Sequence, residues 1–536
     1  MAEATETPRA PAPPAERWKP AHNPWLIAVV VALAAFMEVL DTSIANVALP
    51  HIAGNLGASN DQSTWVLTSY LVSNAIVLPL SGWLAGLFGR KRFFMVCIFL
   101  FTVSSLLCGA ALSLGLLIFF RVIQGVGGGG LQPVAQAILA DSFPPQKRGL
   151  AFAVYGITAV IAPTVGPTLG GWITDNYSWR WIFYINLPIG ILALFLVLRL
   201  VEDPPYLRRV SGAGVRVDYI GIALLALGIG ALQVVLDKGQ EDDWFGSRFI
   251  LTLTIVSATS LIALVVWELR HRTPVIDIRL FKNFNFATAN LMMFMLGVVY
   301  FSSLVIMPQF LQTLLGYTAE LAGLVLSASG IVLLVAMPIV GQLTTKVPTK
   351  YIIAAGWLSI AIALYYSTKW IDLSISFRVA MWMRVAQAAG LPLLFVPITL
   401  SSYTGLPPEK GSDASGLINF MRNIGSSVGT SMVTTMLARR SQFHQSVLSA
   451  HTTGYDLQFQ NRIAALAQQL VQSGSSASDA QLQAHGLVYQ SMQQQAQALA
   501  YIDTYMLLAI AAGIMFLLAF IMRKNDPRAG GEVAVG

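Results

Sequence analysis

The sequence has few charged residues and few cysteines, and each shortage excludes a class of protein. Asp, Glu, Lys and Arg together make up 11% of the 536 residues, whereas hydrophobic residues make up 55%. No soluble domain needs that much apolar residue, so the composition predicts a protein that crosses a membrane many times. The two cysteines, Cys97 and Cys108, lie in one apolar segment, a pattern that supports neither a disulfide framework nor a metal site.

Two functional signatures are also missing. Gly127 to Gly130 lie inside an apolar segment and lack the Lys-Ser/Thr ending of a phosphate-binding loop, which argues against transport driven by ATP. The net charge of +7 is carried by short connectors between apolar runs, so it indicates membrane orientation and not a nucleic-acid partner. Because no nucleophile–base constellation stands out either, we expect neither an enzyme nor a bound cofactor or metal.

Fourteen apolar segments are each long enough to cross a bilayer. They lie near residues 25–49, 64–86, 93–112, 116–140, 150–173, 181–201, 218–236, 249–268, 287–311, 321–343, 351–369, 378–400, 414–437 and 501–522. An even number of crossings puts both chain ends on one side. Connectors on that side hold most of the Lys and Arg, so the positive-inside rule predicts that both termini are cytoplasmic. The basic residues that decide this are Arg90, Lys91, Arg92, Lys147, Arg148, Arg208, Arg209, Arg216, Arg270, Arg272, Arg279, Lys282, Lys346, Lys350 and Lys410.

Three polar stretches lie outside these segments. Residues 1–24 are rich in Pro, Ala and Glu and predict a disordered cytoplasmic tail, and residues 523–536 are expected to form the C-terminal cytoplasmic tail. Residues 438–500 fall on the opposite side and contain two apolar stripes separated by a Ser-rich break, which predicts two helices in a hairpin outside the membrane. A solvated loop is the alternative. The stripes consist of Ile463, Leu466 and Leu470, then Leu482, Leu487 and Val488.

An internal repeat divides the chain. The run Arg121–Gln124 recurs as Arg384–Gln387, an offset of 384 − 121 = 263, and a Pro-Pro pair recurs at 407 − 144 = 263. The repeat predicts a six-helix bundle over 25–202, two inserted helices with their linkers over 203–286, and a second six-helix bundle over 287–522. Parallel halves of this kind are typical of secondary transporters, which bind substrate near the midplane between the halves.

Charged residues within the apolar segments are the first candidates for function. Glu38 and Asp41 stand three residues apart and share a face of the first segment, and Arg121 lies in the fourth. A charge at membrane depth costs about 3 kcal/mol or more, so it is usually kept for a purpose. Removal from water favours the protonated form of a carboxylate, which suits a proton-coupling site. Neutralisation by a buried arginine is the alternative, and the two interpretations are compatible.

The substrate cavity is predicted between segments 1, 2, 4 and 5 and their repeat equivalents. Polar residues inside apolar segments are the first candidates for its lining, and Met and aromatic residues would suit a pocket that accepts many lipophilic shapes. Ordinary helix packing or lipid contact is the alternative for the apolar ones. The candidates are Asn74, Gln132, Gln136, Gln387, Asn419 and Arg422, with Met292, Met293, Tyr300 and Phe301 as the adaptable set and Arg384 as a further buried charge.

Four stretches carry a family resemblance. They are Leu40–Pro50 in the first segment, Gly82–Lys91 between the second and third, Arg121–Gly125 in the fourth and Ala162–Gly171 in the fifth. With them the chain resembles the fourteen-helix drug:proton antiporters of the major facilitator superfamily, most closely their EmrB-type branch. The resemblance implies an all-α membrane protein with the major facilitator fold, built from two six-helix bundles plus two inserted helices.

The resemblance also implies roles for single residues. Asp41 is the first choice for proton coupling, with Glu38 second and Arg121 as the partner of the carboxylates. Small residues and prolines of the fifth segment let a neighbouring helix approach and bend the segment. Gly86 stands where the wider superfamily has an aspartate, which puts the usual charge latch of that loop in question. The residues with an implied conformational role are Gly82, Gly89, Arg90, Ala162, Pro163, Gly166, Pro167, Gly170 and Gly171.

The implied function is export of hydrophobic drugs or toxic compounds across a bacterial inner membrane, coupled to the proton gradient. A periplasmic membrane-fusion adaptor and an outer-membrane channel are the implied partners besides lipid, and the hairpin would either dock the adaptor or cap the transporter. A rival is export of an endogenous metabolite, fatty acid or siderophore by the same mechanism. A non-transporting receptor is less favoured, because it gains nothing from the cost of buried charges.

Overall fold

The structure is a computed structural model that describes residues 18, 20–205, 217–271, 273–450, 452 and 455–523. Most of the expected N-terminal tail, the C-terminal tail from residue 524, and the basic residues Arg208, Arg209, Arg216 and Arg272 lie outside the described residues. Within them, almost every element is a helix.

Six long helices form the first half of the molecule. They are α1 (Pro24–Leu56), α2 (Asn60–Phe88), α3 (Arg90–Gly109), α4 (Leu114–Ser142), α5 (Pro145–Asn176) and α6 (Trp181–Leu200). The sequence specifies their ends locally. Asn23 caps α1, its side chain accepting from the backbone N–H of Trp25, and Pro24 takes the first helical position. Gly57 then ends α1 in the left-handed region at φ 64°, which favours glycine.

The remaining helices follow in the same alternating directions. The inserted pair is α7 (Tyr219–Lys238) and α8 (Arg248–Arg270). The second half contains α9 (Phe284–Thr313), α10 (Ala319–Leu343), α11 (Thr349–Trp370), α12 (Phe377–Ser402) and α13 (Gly411–Ser449), and ends with α14 (Leu457–Gln472) and α15 (Ala477–Ala519). Short 3-10 turns precede α8, α9 and α13. One irregularity lies inside α9, where Gly297–Phe301 form a π-helical turn.

Thirteen of the described helices are long and apolar enough to cross a membrane. The predicted thirteenth segment, 414–437, is not one of them, although it lies within the 39-residue helix α13. This helix packs against α2, α9 and α15 within the bundle, and its Ser, Thr, Asn and Arg residues lower its hydropathy. The fourteen predicted crossings therefore correspond to α1–α13 and α15.

The hairpin differs from its prediction in two ways. Its first helix, α14, is separate, but its second helix continues without a break into the last membrane span as the 43-residue α15. The packed face also differs. Ile463 of α14 is buried as expected, whereas Leu482 and Leu487 of α15 are 80% and 44% exposed, and α15 instead buries Ala480 and Ala484. Alanines at i and i+4 let the two helices approach closely, which a search for large apolar residues misses.

The alternating helix directions define two ends of the bundle. We call the end that holds Pro24 and Ala519 the terminus side, and the opposite end the hairpin side. The two halves meet along two main seams, α2 against α13 and α5 against α10. The inserted helix α7 packs against α2 and α13, one helix from each half, while α8 packs on α7.

The glycine run of α4 has a packing role in this arrangement. Added Cβ atoms at Gly128 and Gly129 would clash with α2, and Cβ atoms at Gly127 and Gly130 would clash with α3. The run therefore places α4 tightly between two neighbours. Close helix contact through small residues is typical of membrane bundles.

Candidate functional site

Two carboxylates lie at the middle of α1. Glu38 and Asp41 are 4% and 2% exposed, and their three-residue spacing turns both toward the other helices of the first half. Each carboxylate has its own set of partners. The two sets differ in how far they reach across the molecule.

Asp41 is held entirely within the first half. Its Oδ2 lies 2.5 Å from Nη1 of Arg121, and its Oδ1 accepts from Nε2 of Gln124 at 2.9 Å and from Nδ2 of Asn186 at 2.7 Å. Arg121 is fully buried and also donates from Nε to the carbonyl of Val66 at 3.1 Å. The family resemblance implied this pairing of Asp41 with Arg121. Removing one member of a buried pair costs about 3–5 kcal/mol, because the other charge is left uncompensated.

Glu38 is connected to both halves. Its Oε1 accepts from the Tyr70 hydroxyl at 3.0 Å and from Nδ2 of Asn74 at 3.2 Å, and its Oε2 accepts from Nε2 of Gln132 at 2.5 Å. The Oε1 of Gln132 in turn accepts from Nη2 of Arg422, which belongs to α13 in the second half. One amide side chain therefore bridges the carboxylate and an arginine across the seam.

Two further amide pairs cross the same seam. The Oδ1 of Asn74 accepts from Nδ2 of Asn423 at 3.3 Å. Gln136 and Asn419 bond to each other in both directions, at 2.8 and 3.4 Å. The structure therefore gathers five of the predicted substrate residues, Asn74, Gln132, Gln136, Asn419 and Arg422, into one polar layer with Glu38. Their role toward a substrate stays a prediction.

Other predicted substrate residues lie elsewhere. Tyr300 and Gln387 are buried around Arg384 in the second half, and Met292 and Met293 pack inside the apolar core. Phe301, half-buried, is the one member of this set that lines the cavity described next. The sequence marks such residues as candidates but does not tell which side of a helix faces the seam.

A cavity of about 510 Å³ lies between the polar layer and the hairpin side. Helices α1, α2, α5, α7, α9, α10 and α13 supply its walls, and Tyr70 and Asn423 form its floor above Glu38. Its lining mixes apolar residues such as Leu67 and Pro308 with hydroxyl and amide groups. A mixed lining of this kind suits an amphipathic ligand, since apolar surface supplies affinity and a few polar groups fix orientation.

The terminus side is closed. Arg90, 1% exposed, forms an ion pair with Asp141 at the end of α4 and donates from Nε to Ser412 Oγ of the second half at 2.6 Å. Gly82 of α2 touches Asp413 so closely that a Cβ would lie 2.4 Å from its Oδ1. Gly86 stands where the wider superfamily has an aspartate, but a charge latch is present on this side of the molecule. Arg90 makes it with Asp141 and Ser412.

The small-residue row of α5 packs on α1. A Cβ at Gly166 would lie 2.3 Å from Ser43 Oγ, and one at Gly170 would lie 3.1 Å from Ile44, whereas Gly171 faces open space except for Val47 at 4.0 Å. Pro167 has no N–H, so the carbonyl of Pro163 loses its helical partner. Ser43 Oγ donates to that carbonyl at 3.3 Å. The carbonyl that Pro167 leaves without a helical partner is thus satisfied by α1, the helix that carries the two carboxylates.

Sequence reasoning missed several residues of this site. Tyr70 holds its ring 4.3 Å from the Arg121 guanidinium and donates its hydroxyl to Glu38, so it touches both carboxylate centres. Asn186 and Asn423 complete the two networks. A usable signal existed for Tyr70, which is four residues from Asn74 and so shares its face of α2.

Comparisons with known proteins agree with this geometry. The model of the Major Facilitator Superfamily matches residues 31–430. The chain is 40% identical over 436 residues to "Multidrug export protein EmrB" of Escherichia coli strain K12, covering 81% of this chain and 84% of the relative. It is 42% identical to the EmrB of Haemophilus influenzae, covering 80% of this chain and 84% of the relative. It is 38% identical to "Fatty acid resistance protein FarB" of Neisseria gonorrhoeae, covering 84% and 88%.

Solved structures show the same fold at low identity. The proton:xylose symporter XylE aligns with a TM-score of 0.61 at 15% identity, covering 94% of this chain and 97% of that one. The human organic anion transporter MFSD10 aligns with a TM-score of 0.57 at 13% identity, covering 92% and 100%. Helix arrangement, family model and relatives agree: the chain belongs to the Major Facilitator Superfamily, in the branch that contains the EmrB-type multidrug exporters.

Proposed function

We propose that this protein is a proton-coupled antiporter that exports hydrophobic drugs or toxic compounds across a bacterial inner membrane by alternating access. The observation that supports this most is the polar layer between the halves, where Glu38 bonds to Gln132 and Gln132 bonds to Arg422. It places a titratable group directly beneath the cavity between the halves. The names of the EmrB relatives support the class of substrate.

Protonation supplies the coupling step in this proposal. An ionised Asp41 holds Arg121, and adding a proton removes the charge that the guanidinium faces. Protonation of Glu38 removes an acceptor from Gln132, which loosens the link to the second half. A group that bonds differently in its two protonation states shifts the balance between two conformations. The proton gradient alone would drive the cycle, with no cofactor.

The orientation of the protein in the membrane decides which access state the structure represents. We propose, from the distribution of Lys and Arg, that the terminus side is cytoplasmic. The cavity then faces the periplasm, and Arg90, Asp141 and Ser412 close the cytoplasmic side. Substrate would be released from this state and a proton would enter. The residues we propose to contact substrate through the cycle are Asn74, Gln132, Gln136, Asn419 and Arg422, with Met293, Tyr300 and Gln387 as further predictions.

Transport into inverted membrane vesicles tests the proposal. The vesicles contain the full chain, and an imposed gradient acidifies the lumen. We expect a lipophilic dye to accumulate inside, and collapse of the gradient by an ionophore to release it. Accumulation that needs ATP, or that ignores the gradient, would contradict proton coupling. Vesicles without the chain serve as the control.

A second substrate class is favoured by one relative. FarB, 38% identical to this chain, is named a fatty acid resistance protein. Long-chain fatty acids combine an apolar tail with one polar end, which also suits the mixed lining of the cavity. A panel of fatty acids and drugs in the same vesicles separates the two classes, since each gives its own uptake rate.

We further propose that α14 and the outer part of α15 dock a periplasmic adaptor that leads to an outer-membrane channel. Exposed Leu482, Leu487 and Tyr489 on α15 offer an apolar surface for it. Replacement of residues 455–495 by a short Gly/Ser linker is expected to abolish adaptor co-purification and whole-cell resistance while vesicle transport is retained. If the deletion keeps adaptor binding and loses vesicle transport, the hairpin caps the transporter instead.

A further inference from the structure

An apolar groove of about 540 Å³ lies on the outer face of the inserted pair, away from the cavity between the halves. Leu224 of α7 forms one wall, and the other wall residues, among them Thr259, Trp267 and Arg270, belong to α8. Helix α8 is the least buried of the thirteen described spans, and Ile262 in the groove is 67% exposed. The groove therefore opens to the lipid around the bundle, and Arg270 is the single charged residue in its wall.

The length of this groove matches one leaflet of a bilayer. Thr259 and Arg270 mark its two ends along α8, and 270 − 259 = 11 residues separate them. At about 1.5 Å per residue this is roughly 17 Å, close to half of a hydrocarbon core of about 30 Å. Arg270 is the last residue of α8 and lies at the terminus side. One acyl chain that runs from that surface to the middle of the bilayer would fill the groove.

Trp267, a wall of the groove, is held in place from inside the protein. Its Nε1 donates to the two carboxylate oxygens of Asp218 at 2.9 and 3.0 Å. Asp218 is 5% exposed and caps the first turn of α7. The indole also stacks on the ring of His271, with 5.6 Å between the ring centroids. The groove therefore has a fixed aromatic wall close to the membrane surface, where tryptophan is enriched in membrane proteins.

A second arginine lies beside Arg270 at this end of the groove. Nη2 of Arg279 donates to the carbonyl of Leu269 at 3.2 Å and to the carbonyl of His271 at 3.0 Å, the two residues that flank Arg270. Both arginine side chains are exposed.

Neither arginine forms an ion pair within the part of the chain that the structure describes. The carboxylates nearby have other partners, because Asp218 accepts from Trp267 and Asp277 Oδ2 lies 2.9 Å from Nζ of Lys410. Guanidinium groups bind phosphate through paired N–H donors. Two unpaired positive charges at the end of an apolar groove therefore match a molecule that joins an acyl chain to an anionic phosphate.

We propose that this groove binds a phospholipid of net negative charge, with an acyl chain along α8 and the phosphate held by Arg270 and Arg279. The occupant is a resident lipid of the terminus-side leaflet and not a transported substrate. The site gives the inserted pair, which the two-bundle repeat leaves without a role, a specific contact with the bilayer. A groove of about 590 Å³ between α11 and α12 has no charged residue among its described wall residues, so no preference for anionic lipid is expected there.

Native mass spectrometry of the purified full-length protein tests the inference, because it counts the lipids bound to each molecule. Phosphatidylglycerol is the anionic probe, and phosphatidylethanolamine with the same acyl chains is the zwitterionic one. The wild-type protein is expected to bind one phosphatidylglycerol about tenfold more tightly than phosphatidylethanolamine. The double variant Arg270→Gln, Arg279→Gln is expected to lose this preference. Arg92→Gln is the matched control and should keep it, since Arg92 is exposed near the start of α3 on the same side of the bundle.

Ala263→Trp tests the groove separately from the charges. The new indole fills the groove and leaves both arginines in place, so phosphatidylglycerol binding should fall about tenfold. Val265→Trp is its control, because Val265 is an exposed residue of the same helix outside the groove wall.

Three outcomes would overturn the inference. The first is equal affinity of the wild-type protein for the two lipids, and the second is a preference that survives in the double arginine variant. The third is a dimer without bound lipid that Ala263→Trp dissociates, since the groove would then hold a second copy of the chain. These measurements need no transport, so their failure would leave the proposed export function standing.

Discussion

The two halves of the molecule treat equivalent arginines differently. Arg121 and Arg384 occupy matching positions in the repeat, and each lies against a tyrosine ring, at 4.3 Å for Tyr70 and 4.8 Å for Tyr300. Arg121 pairs with the carboxylate of Asp41. Arg384 bonds only to neutral groups among the described residues, with Nη2 to the Tyr300 hydroxyl at 2.7 Å and Nη1 to side chains of the same cluster.

The partners of the two arginines differ in whether a proton can release the guanidinium. A guanidinium held by a carboxylate can be released by one proton, whereas a guanidinium held by hydroxyl and amide groups has no such trigger near neutral pH. Within the part of the chain that the structure describes, the Nε of Arg384 is buried without a hydrogen-bond partner, so the second site carries a cost without a titratable acceptor. We infer that the first half responds to protons and that the second half holds a fixed charge. Both halves therefore have an arginine against a tyrosine ring, but only the first half gives its arginine an acidic partner.

The largest expected effect comes from Asp41→Asn. This change replaces the acidic partner of Arg121 with a neutral one, so that both arginines have only neutral partners. We expect gradient-driven dye uptake to vanish, while membrane insertion persists. The second change Arg121→Ala should add no further loss, because the pair acts as one unit. Uptake rates of both single variants and the double variant in inverted vesicles check this. Full transport by Asp41→Asn, or additive losses, would show that the carboxylate and arginine do not act together in coupling.

Lysine substitution at both arginines sharpens the comparison. Arg121→Lys keeps the charge but loses the planar fork, which bonds Asp41 and Gln124 from Nη1 and the Val66 carbonyl from Nε, so we expect strongly reduced turnover. Arg384→Lys should lower the midpoint of thermal unfolding but leave the number of protons moved per substrate nearly unchanged. Turnover and proton movement are measured in the same proteoliposomes. Equal loss of proton movement in both variants would remove the distinction between the halves.

Glu38→Gln is expected to have a weaker, substrate-dependent effect. Glutamine can still accept from Tyr70 and Asn74, so the polar layer keeps most of its bonds while losing a charge. Uptake of several dyes should fall to different extents, in contrast to the uniform loss in Asp41→Asn. A uniform and complete loss here would make Glu38 the main coupling residue in place of Asp41.

The smallest expected effect concerns the small-residue contacts, Gly166 in α5 and its repeat equivalent Gly429 in α13. A Cβ at Gly166 meets the side chain of Ser43, which can rotate, whereas a Cβ at Gly429 would lie 2.4 Å from the backbone carbonyl of Val298. We expect Gly429→Ala to cost about 1–3 kcal/mol of unfolding free energy and Gly166→Ala less. Thermal unfolding in detergent measures both. A greater loss for Gly166→Ala would contradict this ranking.

Gly166→Leu tests whether the contact between α5 and α1 moves during transport. The larger side chain should separate α5 from α1 and hold the protein in one access state. Labelling of single cysteines from each side of the membrane checks it. Unchanged labelling on both sides would mean that this face is not a moving contact.

The sequence predicted the polar residues whose burial inside the membrane is costly. A charge or amide inside an apolar segment needs a partner, so Asp41, Arg121, Asn74, Gln132 and Asn419 stand out in the sequence alone. What the sequence did not predict is which helix face turns to the seam. That face depends on the packing of several helices together, which places Tyr300 and Gln387 beside Arg384 instead.

Other differences have local physical causes. The sequence predicts that α13 ends near residue 437, where hydropathy falls, but no proline or glycine stops the helix there and it continues to Ser449.

The uninterrupted helix α15 also has a mechanical consequence. At about 1.5 Å per residue its 43 residues extend roughly 64 Å, about twice the hydrocarbon thickness of a bilayer. No proline interrupts it, so it behaves as a single stiff rod anchored in the second half. Tilting its membrane part by a few degrees displaces its far end by several ångströms. A tilt of the second half would therefore move the far end of α15, and the hairpin with it.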